Sequence, residues 1–323
     1  MVEYKLLSYA SEGRVRSGLL VNDRIHDLAQ LTGDEADSSV LGVLEAWTAA
    51  RARIEQAATR AAQSPAAGQP LAAVRLTAPI LYPSAIYCAG ANYSDHVREM
   101  ARASGRELGP DPKAAALRPW HFLKPARAVL AADNETVWLP RASKTVDWEV
   151  ELAVVIGRAA RDVSVDQALD YVAGYTVAND LSARDLSRRP PIAETAPFFF
   201  DWLAHKVFDG SCPLGPWITP AQQIKDPQNL NLGLRINGVM KQESNTGQMI
   251  FNIAEQIAHL SSLRTLYPGD LVLTGTPSGV GAGRGEFLKP GDSVEAWIEG
   301  IGTLHTPIGE GARPQETSGR VDQ

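Results

Sequence analysis

Only two cysteines, Cys88 and Cys212, occur in 323 residues. So sparse a set implies no disulfide framework and fits a reducing cytoplasm. Long hydrophobic runs are missing too. The cleanest, Leu152 to Ile156, falls far short of the roughly 20 residues a membrane-spanning helix needs. Nor is there an excess of positive charge: a net −6 leaves no electrostatic footprint for nucleic acid and no basic patch for anionic lipid. The start, MVEYKLLSYASEG, has no basic region followed by a long apolar segment, so no signal peptide is expected. No Cys/His cluster has the spacing of a zinc site, and no internal repeat is present. What remains, 44% apolar and 21% charged, is the composition of a soluble intracellular globular protein.

Residues 4 to 29 read as short strands joined by turns, one of them at Asn22-Asp23. Val40 to Ala62 has helical spacing at Val43, Leu44, Trp47, Ala50 and Ile54. AAQSPAAGQP then breaks the pattern, which places a small N-terminal domain at 1–70, a larger domain at 71–310 and a disordered tail at 311–323. A helix is expected from Ser164 to Ala173, with Gln167 completing a capping-box pattern, and another from Ile253 to Ser262. From Leu230 onward the text is mostly β. The fold class expected is α+β, mostly β. The glycine-rich GTPSGVGAGRG lacks the Lys-Ser/Thr of a phosphate loop and leads into no helix, so it reads as a structural turn or a substrate-contacting loop.

The chemistry concentrates in TVDWEVELAVVIG, Thr145 to Gly157. Strand side chains alternate, so Asp147, Glu149 and Glu151 would share one face and Trp148, Val150 and Leu152 the core face. A row of carboxylates costs repulsion and desolvation unless a cation offsets it. Asp180, ending the next strand-like segment, adds a third ligand to Glu149 and Glu151. Three carboxylates with open positions suit Mg²⁺ or Mn²⁺. The competing reading is a solvated strand face, since E-x-E is a common triplet. In NYSDHVREM, one helical turn brings His96 beside Glu99, and a carboxylate beside imidazole makes a candidate general base. Alone, such a pair is more often surface decoration. Arg184 and Lys206 are cations near these groups, each more often an ordinary ion-pair partner.

Together, CAGANYSDHVREM, DWEVELAVVIGR, YVAGYTVANDLSARD, INGVMKQESNTGQMIF, YPGDLVLTGTPSGVG and LKPGDSVEAWIEGIG resemble the fumarylacetoacetate hydrolase family over roughly Pro83 to Pro307. The resemblance implies a mixed β-roll preceded by a small α/β domain, and a homodimer. It further implies that Glu149, Glu151 and Asp180 bind Mg²⁺, with Mn²⁺ or Ca²⁺ as substitutes. His96 and Glu99 match a water-activating dyad on a lid segment, and Arg184 and Lys206 match cations that hold substrate oxygens. Thr276 matches a contact to the substrate carboxylate, and Thr246 and Gly247 another substrate-contacting segment. Asp147 falls outside the match. Ser187 stands where many members carry Gln. Phe198 to Phe200 and Trp202 are candidates for the pocket wall.

The implied activity is Mg²⁺-dependent hydrolysis of the C–C bond of an acylpyruvate such as fumarylpyruvate, maleylpyruvate or fumarylacetoacetate, in aromatic catabolism. A second reading is a decarboxylase, isomerase or hydratase acting on oxaloacetate or a 2-hydroxymuconate derivative. The third is a protein whose metal only stabilises the fold or dimer.

Overall fold

The computed structural model describes residues 2–310; the expected disordered tail, 311–323, lies outside the described residues. Its main feature is an 11-stranded mixed sheet. From one edge it runs through Gln69–Pro70, Arg24–Asp27, Arg14–Val21, Lys5–Ser11 and Cys212–Pro220, then Val172–Asn179, Val150–Ile156, Leu271–Leu273, Ile86–Ala89 and His121–Lys124. Leu130–Ala131 pairs alongside Cys212–Pro220. A second sheet of four strands carries Val239–Asn245, Asn231–Ile236, Ser293–Ile298 and Gly302–Pro307. The chain is thus mostly β with mixed sheets, as its composition and punctuation suggested. The segment before Leu71 shares the large sheet, joined where Leu6 pairs with Ile218.

Val150–Ile156 lies at the centre, buried at every position. Its alternation still sorts the side chains: Leu152, Val154 and Ile156 enter one apolar cluster, Ala153 and Val155 another. Each large aliphatic side chain buried this way contributes about 1.5–3 kcal/mol. Glu151 shares the parity of Ala153 and Val155, at the strand end where the second cluster gives way to polar groups.

Two expected helices take another form. The run from Val40 is two helices, Val40–Glu45 and Trp47–Gln63, separated at Ala46 (φ −103°, ψ 16°), and Trp47, Ala50 and Ile54 are buried as their spacing predicts. The helix expected from Ser164 to Ala173 shrinks to one 3₁₀ turn, Ala168–Tyr171. Val172 and Ala173 belong instead to the strand Val172–Asn179, where Val172 pairs with Ile156. Ser164 Oγ meets the Gln167 side chain rather than a backbone amide, so no cap forms there, and sheet pairing wins. The helix Ile253–Leu263 starts with a complete capping box between Asn252 and Glu255.

Candidate metal and substrate site

Asp180 follows directly on the Val172–Asn179 strand, and its amide donates to Glu149 O at 2.9 Å. The same pairing sets Ala178 opposite Glu151, so neighbouring antiparallel strands deliver three carboxyls to one place. Ligand oxygens of Glu149, Glu151 and Asp180 lie within 4.8 Å of one another, and all three residues are buried. A solvated strand face is thereby ruled out.

Burial of so much negative charge requires compensation, and the structure supplies it unevenly. Lys206 Nζ bridges Glu149 Oε2 at 2.8 Å and Asp180 Oδ2 at 2.6 Å. Lys124, fully buried, lies 2.5 Å from Asp180 Oδ1 and donates to Ser211 O at 2.6 Å. The Arg184 guanidinium joins Asp147 Oδ2, at 2.8 Å, to Glu149 Oε1. Glu151 pairs with no cation among the described residues; its partner is the Gly275 amide, at 2.6 Å. Burial opposes ionisation of Glu149, but Lys206 and Arg184 override it and hold the carboxyl below the usual range. For Glu151 burial and the charges of Asp180 and Glu149 act together and push its pKa well up. Three hard oxygen donors, one of them lacking a counter-charge, fit a hard divalent cation that keeps positions for water or substrate.

Asp147 is neither solvated nor a member of the triad. It is fully buried, accepting from the amides of Gly281 at 2.5 Å and Ala282 at 3.0 Å, and it orients Arg184 from behind. The glycine-rich loop is therefore a cradle for carboxylates: Gly275 serves Glu151, Gly281 serves Asp147, and the Gly279 amide donates to Glu99 Oε2 at 2.8 Å. A Cβ at Gly281 would stand 2.0 Å from Glu286 O and 2.7 Å from Asp147 Oδ1, which is why no larger residue fits there.

His96 and Glu99 sit on the helix Ser94–Ser104, which Asp95 ties down by accepting from Ser244 Oγ at 2.6 Å. His96 Nδ1 is 4.0 Å from Glu99 Oε2, outside hydrogen-bond range. Burial lowers the imidazole's basicity despite the charge of Glu149, so the ring is neutral. A cavity of about 110 Å³ is lined by His96, Glu149, Glu151, Arg184, Lys206, Thr276 and His205, with Trp120, Phe122 and Trp202 as its aromatic wall. Glu99 lines a separate cavity of about 510 Å³ together with Arg98 and Arg102.

Of the expected substrate contacts, Thr276 is in place, its hydroxyl accepting from Gln242 Nε2 at 2.9 Å. Thr246 and Gly247 do not line this cavity. The Thr246 hydroxyl accepts from the Leu230 amide at 2.9 Å, while Gly247 belongs to a 3₁₀ turn capped by Asn245. Trp202 walls the cavity and Phe200 backs it with ring centroids 4.6 Å apart, whereas Phe198 is exposed. Ser187 keeps its hydroxyl on Arg184 O at 2.7 Å. Sequence reasoning missed Lys124 and Gln242, both buried under the site. Gln242 Oε1 accepts from Val150 at 3.0 Å while its amide holds Thr276, linking the central strand to that side chain.

The family model described as fumarylacetoacetate (FAA) hydrolase, C-terminal, matches residues 85–309. A human mitochondrial oxaloacetate tautomerase is 42% identical over 238 residues, 73% of this chain and 69% of that one. The crystal structure of maleylpyruvate hydrolase from Sphingobium sp. SYK-6, in complex with manganese(II) and pyruvate, superposes with TM-score 0.72 at 28% identity, covering 95% of this chain and 100% of that chain. A 2-hydroxyhepta-2,4-diene-1,7-dioate isomerase from Mycobacterium marinum superposes with TM-score 0.68 at 30% identity, covering 96% and 100%. Within the described residues no helix is long and apolar enough to cross a membrane. A match running unbroken through every strand that delivers a carboxylate, with relatives alike over the same span, places the chain in the fumarylacetoacetate hydrolase family.

Proposed function

We propose that this protein interconverts the keto and enol forms of a short 2-oxo acid of the oxaloacetate type at a divalent cation, Mg²⁺ in the cell. The observation that carries the reading is the cavity beside the carboxylate triad. At about 110 Å³ it is well below the roughly 300–1,000 Å³ of sites for drug-sized ligands. It accommodates a compact four-carbon acid better than an extended acylpyruvate. The 42% identity to a protein named oxaloacetate tautomerase supports the same choice.

Glu149, Glu151 and Asp180 would hold the cation, which when bound polarises the 2-oxo group and stabilises negative charge on its oxygen. Arg184 and Thr276 orient the acid's head. His96, with Nδ1 facing Glu99, offers Nε2 to the substrate; being neutral, it accepts the C3 proton and returns it at the C2 oxygen. Lys206, held by Glu149 and Asp180, offers its ammonium to the negative charge that develops on the substrate oxygen. Trp120, Phe122 and Trp202 line one side of the cavity.

A second reading, hydrolysis of an acylpyruvate, is favoured by Glu99 at 4.0 Å from His96, close enough to polarise a water between them. The test is to supply oxaloacetate in its enol form to Mg²⁺-loaded protein, follow the loss of enol absorbance, and identify products by NMR. Retention of all four carbons, and suppression by chelation, are expected. Faster cleavage of an acylpyruvate than conversion of the enol would select the hydrolase. Turnover surviving exhaustive chelation would reject both readings.

A further inference from the structure

His205 lies in the short helix Trp202–Lys206, next to Lys206, and only 5% of it is exposed. It lines the same small cavity as the carboxylate triad. Yet neither of its ring nitrogens has a hydrogen-bond partner among the described residues. Phe200 and Trp202 pack against the ring at centroid distances of 6.2 and 5.8 Å, and they have no acceptor to give it. Buried polar atoms are ordinarily satisfied, and leaving two unsatisfied on one ring is costly unless something else supplies the partner. The ring is uncharged: burial, then Lys206 and Arg184, lower its basicity strongly. A neutral imidazole carries one N–H donor. Unpartnered within a cavity that takes the head of an acid, that donor is free to be met by a carboxylate oxygen of the ligand.

We propose that His205 is a substrate-contacting specificity residue, donating a hydrogen bond from its imidazole N–H to a second carboxylate of the substrate, so that the site selects short dicarboxylic 2-oxo acids over monocarboxylic ones. The proposal rests on the 2-oxo acid reading above and narrows it. The head of the acid faces the triad. The cavity, about 110 Å³ with Trp120, Phe122 and Trp202 on one side, matches a short chain, and His205 meets its far end. The neighbouring sequence of Lys206, in LAHKVFDG, gave no hint that the residue before the lysine faces the ligand.

The experiment compares pyruvate with oxaloacetate on the Mg²⁺-loaded full chain, reading binding from the fluorescence of Trp120 and Trp202. Wild-type protein should prefer oxaloacetate by about 10-fold or more, the worth of one charge-assisted hydrogen bond. His205→Leu should remove that preference while leaving pyruvate affinity within about 2-fold, and His205→Asn, which keeps a donor, should restore part of it. An unchanged preference in His205→Leu would overturn the proposal. So would equal loss of both acids in a variant that still folds and binds Mg²⁺. Wild-type protein that binds pyruvate without preferring oxaloacetate defeats this proposal alone. Failure to bind either acid defeats the 2-oxo acid reading and this proposal with it.

Discussion

Lys206 Nζ stands 2.6 Å from Asp180 Oδ2, so the cation expected to face a substrate is also the counter-ion of a candidate metal-ligand carboxylate. Breaking a buried ion pair from one side costs about 3–5 kcal/mol, because the abandoned charge stays buried. Lys206→Met should therefore unfold at a lower temperature than wild type in EDTA and recover much of the loss in Mg²⁺. Thermal scans with and without the metal check this. Equal melting shifts in both buffers would mean that the lysine does not balance the metal site.

Glu151 behaves in the opposite sense, since among the described residues it has no cation partner to abandon. Glu151→Gln should leave stability in EDTA unchanged or slightly raised. Its metal affinity should fall by more than about 100-fold, given that changes behind the ligands already cost roughly 10–100-fold. Isothermal titration with Mg²⁺ or Mn²⁺ measures it; near-native affinity would remove Glu151 from the ligand set.

His96→Ala and Glu99→Ala separate the two chemistries. Removing a general base costs roughly 10²–10⁴-fold in rate, so His96→Ala should lose turnover while binding metal normally. Glu99 lines the neighbouring cavity and bonds the Gly279 amide. Its replacement should slow keto–enol conversion by less than about 10-fold; a loss matching that of His96→Ala would favour the hydrolytic dyad.

Gly281→Ala would place a methyl group against Glu286 O and Asp147. Overpacking of this kind costs about 1–3 kcal/mol. It should also loosen Asp147, and through it Arg184. A variant with unchanged urea midpoint and unchanged substrate affinity would show that the loop relaxes freely.

Stability should also depend on pH through His121, whose ring is lowered to about 4 by burial, a hydrogen bond it donates to Gln256 Oε1 only partly offsetting this. The unfolded chain binds this proton with a pKa near 6.5, so between about 6.5 and 4 it holds more protons than the folded state, and stability falls as the solution is acidified. The contribution at pH 4 is on the order of 2–3 kcal/mol. His121→Gln should show a shallower decline in urea unfolding from pH 7.5 to 4.5. Parallel curves for variant and wild type would rule His121 out as the source.

Glu149 and Glu151 were legible as neighbours from their spacing, but the strand starts only at Val150 and Val146–Asp147 pairs with Ser182–Ala183 instead, which is why Asp147 leaves the expected row. Asp180 was legible because it ends the adjacent strand. The Ser164 helix misled because local capping residues carry no information about the sheet that claims Val172 and Ala173. Lys124, Gln242 and His205 stayed hidden for a related reason. Lys124 and Gln242 meet partners far along the chain, Leu181 for Lys124 and Val150 for Gln242, and no local pattern marks a buried cation or an unpartnered ring. Thr246 shows the converse, since a motif position can be filled by a hydroxyl occupied in holding its own turn.

The pairing of Leu6 with Ile218 carries a practical consequence. The Lys5–Ser11 strand covers the rim of Cys212–Pro220 around Ile218, beyond the stretch that Leu130–Ala131 pairs. A chain trimmed to begin at Leu71 would expose that rim's unpaired amides and carbonyls, inviting intermolecular strand addition. The leading segment should thus guard the sheet against sticking to its neighbours.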